Sequence, residues 1–132
     1  MKKSYGGRPT KKKLMETYGR QCAALEALRV EARVLVREGK MSLQSYQVQR
    51  MTVRSKYLEH LQSCSESTLL SNYRTEDIIL AIEEFEDRIG ELQEQLDALK
   101  QQPLEETEGY KYNLQYKLTL GEVALALRQL EE

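Results

Sequence analysis

His60 and Cys64 stand four residues apart, a spacing at which two side chains on a helix can face one metal ion. A structural zinc site needs four ligands, and the chain offers no second histidine and only one further cysteine, Cys22. Glu83 and Asp87, in the run "EEFED", share a helical face. A carboxylate-bridged di-iron site would also need Glu-x-x-His pairs from other helices, which one histidine cannot supply. The same histidine leaves a hydrolase triad one base and no nucleophile motif beside it. The pair Gly6-Gly7 is not followed by the Gly-Lys-Ser/Thr of a phosphate loop. No catalytic residue, cofactor, metal or small-molecule substrate is expected from these patterns.

The chemistry that remains is that of fixed charge. The opening "MKKSYGGRPTKKK" carries six basic residues and no acid. Residues 1–60 hold fourteen Lys/Arg and five Asp/Glu, a net of +9; residues 61–132 hold six and sixteen, a net of −10. That asymmetry calls for an anionic partner for the first half, or for mutual neutralisation of the two halves. The stretch "GGRPTKKK" resembles the AT-hook, whose core is Arg-Gly-Arg-Pro between basic residues. Gly6 stands where that motif has its first arginine, and Arg8 and Pro9 match it. The resemblance implies Arg8 in a narrow A·T minor groove, with Lys2, Lys3, Lys11, Lys12 and Lys13 on phosphates. Arg50, Arg54 and Lys56 extend the basic surface. The turn Gly39-Lys40-Met41-Ser42 is one residue longer than that of a helix-turn-helix, so base reading by the second helix is not expected.

The elements that must hold these charges are mostly helical. Leu14, Tyr18, Cys22, Leu25, Leu28, Ala32 and Leu35 recur at steps of three and four, which predicts a helix over 11–38 stopped by Gly39. Ser42 caps a second helix over 43–62, with Leu43, Tyr46, Val53, Tyr57 and Leu61 inward, and the short connection makes an αα-hairpin. Four serines in "SCSESTLLSNY" predict a linker over 63–74. Thr75 then caps a helix over 75–102 ended by Pro103.

This third helix has a strict heptad: Ile82, Ile89 and Leu96 at position a, and Ile78, Phe85, Leu92 and Leu99 at position d. Isoleucine at a with leucine at d favours parallel two-stranded packing. The expectation is that the stripe joins subunits, the alternative being that it packs on the first hairpin.

In "YKYNLQYKLTL", residues 110–120, apolar and polar side chains alternate without a miss, the signature of a half-buried strand. No second alternating run is present to pair with it, so Tyr112, Leu114 and Tyr116 are expected to pair between subunits. A helical alternative puts Tyr112, Tyr116, Val123, Leu127 and Leu130 on one face. The tyrosines and lysines of a strand would lie on opposite faces, which argues against a base-stacking platform. Thr119 and Glu122 form a capping box for a last helix over 120–131.

The expected protein is mainly α: a basic flexible tail (1–13), a basic helical hairpin (14–62), a linker (63–74), a coiled-coil-like helix (75–102), and a strand or helix with a C-terminal helix (104–132). Cys22 and Cys64 read as reduced thiols. No apolar stretch reaches the length of a membrane span, and no apolar region follows "MKK", so a cytoplasmic site is expected. The expected function is a non-enzymatic, homo-oligomeric DNA-associated accessory protein. Its basic half binds backbone phosphates, and its acidic half assembles subunits or recruits a protein partner. The alternative is a coiled-coil adaptor or chaperone-like protein that binds only proteins.

Overall fold

Thr10 opens the first helix by accepting a hydrogen bond from the Lys13 N–H at 3.2 Å, a side-chain N-cap that satisfies one of the free donors of the first turn. The computed structural model describes residues 10–53 and 74–131. Among them five α-helices follow in order: α1 Lys11–Arg37, α2 Leu43–Val53, α3 Thr75–Gln101, α4 Glu108–Gln115 and α5 Leu120–Glu131, with a 3-10 turn at Leu104–Glu106. None of these helices is long and apolar enough to cross a membrane. The chain is mainly helical, as its periodicity requires.

All seven stripe residues expected on α1 are buried, joined by Met15 and Val36. Burial also pushes the Cys22 thiol up to about 11, so it stays protonated at neutral pH. What covers the stripe is chiefly α3. The Tyr18 and Phe85 rings lie 5.2 Å apart, the Gln21 Nε2 donates to Glu86 Oε1 at 3.1 Å, and Lys100 Nζ meets Glu31 Oε1 at 2.5 Å. The contacts advance together along both helices, so α1 and α3 run parallel. The hydrogen bond to Glu31 holds the Lys100 ammonium above its usual pKa.

Here the structure corrects the expectation of a heptad between subunits. Ile78, Ile82, Phe85, Leu92, Leu96 and Leu99 are buried within one chain, and Ile89 is half-buried against the same core. The stripe packs on α1 of the same chain, the alternative to a subunit contact. An a/d seam needs only a complementary apolar helix, and one on the same chain is present at high effective concentration.

Helix α2 lies antiparallel on α1 through a polar bridge. Arg29 Nη1 donates to the buried Tyr46 hydroxyl at 2.7 Å, while its Nε and Nη2 donate to Glu26 Oε1 at 2.8 and 2.6 Å. The bond to Glu26 is the main reason the guanidinium is held above its usual pKa. Ser42 caps α2 as expected, its Oγ accepting from the Ser45 N–H at 3.1 Å. The third helix begins one residue off the expected cap: Arg74 is the N-cap residue and makes no side-chain cap bond, and Thr75 is already helical.

The alternating segment is not a strand. Lys111 N–H donates to Thr107 O at 3.2 Å and Tyr116 N–H to Tyr112 O at 3.1 Å, the i to i+4 ladder of a helix, with the two tyrosine rings 4.7 Å apart. Thr107 starts α4 by accepting from the Tyr110 N–H. Alternation misled because it did not report burial: Leu114, Tyr116 and Leu120 are all exposed, so no half-buried sheet face exists. With no neighbour to complete a ladder, the backbone bonds locally.

Two helices end in the same way. After α1, Gly39 takes φ 83°, its N–H donates to Val36 O, and Lys40 N–H donates to Leu35 O at 2.9 Å. After α4, Lys117 takes φ 55°, its N–H donates to Leu114 O, and Leu118 N–H donates to Asn113 O at 2.8 Å. Both are Schellman caps, with glycine at the left-handed position in one and lysine in the other. Next to Gly39, the start of α4 docks on the α1–α2 turn: Gly109 N–H donates to Lys40 O at 3.2 Å, and Glu108 Oε1 accepts from the Ser42 N–H at 3.0 Å. A Cβ on Gly109 would overlap the backbone of Lys40 and Met41. Half of the expected Thr119–Glu122 capping box of α5 is present: Thr119 Oγ1 accepts from the Glu122 N–H at 3.1 Å.

Three stability outcomes follow from this packing. Gly109→Ala should lower the urea midpoint by the equivalent of about 2 kcal/mol, because backbone, not a movable side chain, stands in the way; an unchanged midpoint would show that the turn yields freely. Lys117→Gly should raise the midpoint by about 1 kcal/mol, relieving a left-handed non-glycine residue. Leu92→Asp should cost several kcal/mol by burying a charge, with the mass of the folded fraction by light scattering unaltered. A folded variant of halved mass would instead restore the heptad to a subunit interface.

Candidate nucleic-acid interface

The first turn of α1 is Lys11-Lys12-Lys13 and contains no acid. The helix dipole places partial positive charge at this end, so three lysines there oppose the ordinary preference for anions. Lys12 and Lys13 are exposed and Lys11 is half-buried. The row continues along the solvent side: Thr17 Oγ1 donates to Lys13 O at 3.2 Å, and Arg20 Nη2 donates to Thr17 Oγ1 at 3.2 Å. Arg20 was not among the residues expected from the sequence. Its spacing of seven from Lys13 is the signal that it shares the lysine's face.

Of the other expected cations, Arg50 is half-buried in the last described turn of α2. The antiparallel course of α2 sets it roughly level with residue 25, about 18 Å along α1 from Lys13. The backbone thus groups Lys11, Lys12, Lys13 and Arg20, with Arg50 farther along the bundle. Lys2, Lys3, Arg8, Arg54 and Lys56 lie outside the described residues, as do His60 and Cys64.

Because α3 is parallel to α1, its N-terminus lies at the same end as the lysines. Its first turn has the opposite character, with Glu76 and Asp77 where the dipole favours them. Asp77 also takes an exposed pairing with Arg74 at 3.5 Å. The lysine turn and the acidic turn are therefore neighbours rather than opposite poles.

At the far end of α1, about 40 Å away by helix length, there is an apolar cleft of about 220 Å³. Glu38, Gly39, Leu104, Leu114, Leu118 and Leu120 line it. Leu114 and Leu120 are 67% and 56% exposed. Among the described residues no group of three or more His, Cys, Asp or Glu side chains is arranged to hold a metal ion. In comparisons with known proteins the chain matches no family model, no curated protein and no solved structure, so the reading of its surface rests on geometry and charge.

Proposed function

We propose that the protein is a non-catalytic, helical accessory protein that binds nucleic acid through backbone phosphates at the lysine-bearing end of α1. One observation carries this reading. Lys11, Lys12 and Lys13 bring three cations into the first turn of α1, at the positive pole of its dipole, with Lys12 and Lys13 exposed. Clustered cations at a helix N-terminus suit a polyanion, and phosphates are the anions that also suit helix N–H groups. The basic tail, residues 1–9, leads directly into this turn in sequence, and its AT-hook resemblance favours duplex DNA. Binding of this type positions without reading bases. A purely protein-binding coiled-coil adaptor finds less support, because the heptad that would have served it is buried inside the chain.

The test is a salt titration of duplex binding by fluorescence anisotropy, using full-length protein and two unrelated duplexes. Each phosphate neutralised contributes about 0.9 to the log–log slope. The triple variant Lys11→Gln, Lys12→Gln, Lys13→Gln should therefore flatten the slope by up to about 2.7, and equally for both sequences. Removing cations from an N-terminal turn relieves the dipole conflict, so helicity should hold or rise and lost binding could not be blamed on unfolding. An unaltered slope would move the contact off this turn. Absence of any binding at ~50 mM salt would end the nucleic-acid reading.

A further inference from the structure

The apolar cleft at the α1–α4–α5 end is unconnected with the lysine turn and is built from different residues. It has two properties at once. It is a hole, lined by Gly39 and Leu118 among others, and its lining includes the exposed Leu114, at 67%, with the exposed Leu104 and Leu120. Together these three leucines present an apolar patch on the order of 300 Å², within the range of the largest patch of a typical monomer.

Charge around the cleft is also double-signed. Glu38 lines it, and Lys117 lies between the lining residues Leu114 and Leu118 in sequence. Both are exposed, and among the described residues neither makes an ion pair. Lys117 also holds the left-handed position that Gly39 fills in the equivalent turn after α1. A lysine there is conformationally dearer than the glycine that the motif prefers.

We propose that this face is the contact between two copies of the chain, related by a two-fold axis, with Leu114 of each seated in the cleft of the other and Lys117 of each meeting Glu38 of the other. A two-fold contact requires a self-complementary patch, and a knob with a hole, a cation with an anion, satisfies that requirement. Two patches supply about 600 Å² of apolar area. With a polar rim of about 40%, the total is about 1,000 Å², the threshold of a specific interface. A contact of this size without a large buried anchor belongs with weak, micromolar association. The heptad of α3 takes no part in it. The contact joins the ends of α1 remote from the lysines, so each dimer carries two lysine turns, whether or not those bind nucleic acid.

Sedimentation velocity over a concentration series of the full chain tests the proposal. Wild type should pass from monomer to dimer in the micromolar range, and Leu114→Glu should weaken the dimer at least ~100-fold while circular dichroism stays unaltered. Glu38→Lys and Lys117→Glu should each weaken it ~5–10-fold, and the two together should recover most of the loss. Lys117→Gly provides the control for folding, since it removes the charge while relieving the backbone; it should unfold at higher denaturant yet dimerise more weakly. A wild-type chain monomeric through several hundred micromolar overturns the proposal. So does a dimer that Leu114→Glu leaves intact, or a charge exchange that fails to recover association; either would direct the cleft toward a different protein.

Discussion

One seam organises the molecule: the apolar stripe of α1 against the heptad stripe of α3, helix beside parallel helix. Together they take Leu14, Tyr18, Leu25, Ala32 and Leu35 from one side and Ile78, Ile82, Phe85, Leu92 and Leu99 from the other into a single cluster. Burial of this kind is non-directional and scales with area, so a stripe with no subunit partner closes on the nearest apolar helix. Parallel neighbours cannot be joined by a short turn. The antiparallel course of α2 begins the return journey, and the Arg29 bridge to Tyr46 and Glu26 fixes where it lies. A buried tyrosine hydroxyl needs a partner, and an arginine able to meet it and a carboxylate together supplies one without leaving a charge bare.

The seam also decides how the lopsided charge is arranged in space. Counted from the sequence, α1 has seven bases and three acids, and α3 nine acids and two bases. Laid side by side they attract over their whole length, which accounts for part of the asymmetry within one chain. The tie between Lys100 and Glu31 runs against that trend, with the acid on the basic helix and the base on the acidic one. Local geometry, not bulk polarity, selects individual partners. At the first turn of α1 three lysines and the positive pole of the dipole coincide, with the acidic first turn of α3 beside them. That local concentration of both signs is what sets this end apart from an ordinary solvated surface.

The opposite end is governed by how closely backbones approach. Gly109 lies against the turn after α1, and the Glu108 carboxylate reaches the backbone of Ser42, so the start of α4 completes the capping of α2 from across the fold. Lys40 in turn donates to the Lys100 carbonyl at the end of α3, at 3.1 Å. Three helix ends are thereby tied to one another. Once α4 is held in this way, Leu114 and the first residue of α5, Leu120, stay exposed at the cleft.

Periodicity and caps alone determined much of the fold. The α1 stripe, the stop at Gly39, the cap at Ser42, the heptad from Ile78 to Leu99, the break at Pro103 and the Thr119 cap are all local, set by steps of three and four or by a side chain meeting a nearby N–H. Tertiary structure decided what no local rule contains: which apolar surface covers which. The heptad reads the same whether its partner is another subunit or α1, because the hydrophobic effect does not distinguish chains. Perfect alternation over residues 110–120 reads as a strand, yet a strand requires a neighbour with free backbone groups, and the segment became α4, a left-handed turn at Lys117 and the start of α5. The cleft was invisible for a related reason. Gly39 is far along the chain from Leu104, Leu114 and Leu120, and the close approach permitted by Gly109 brings them to one surface.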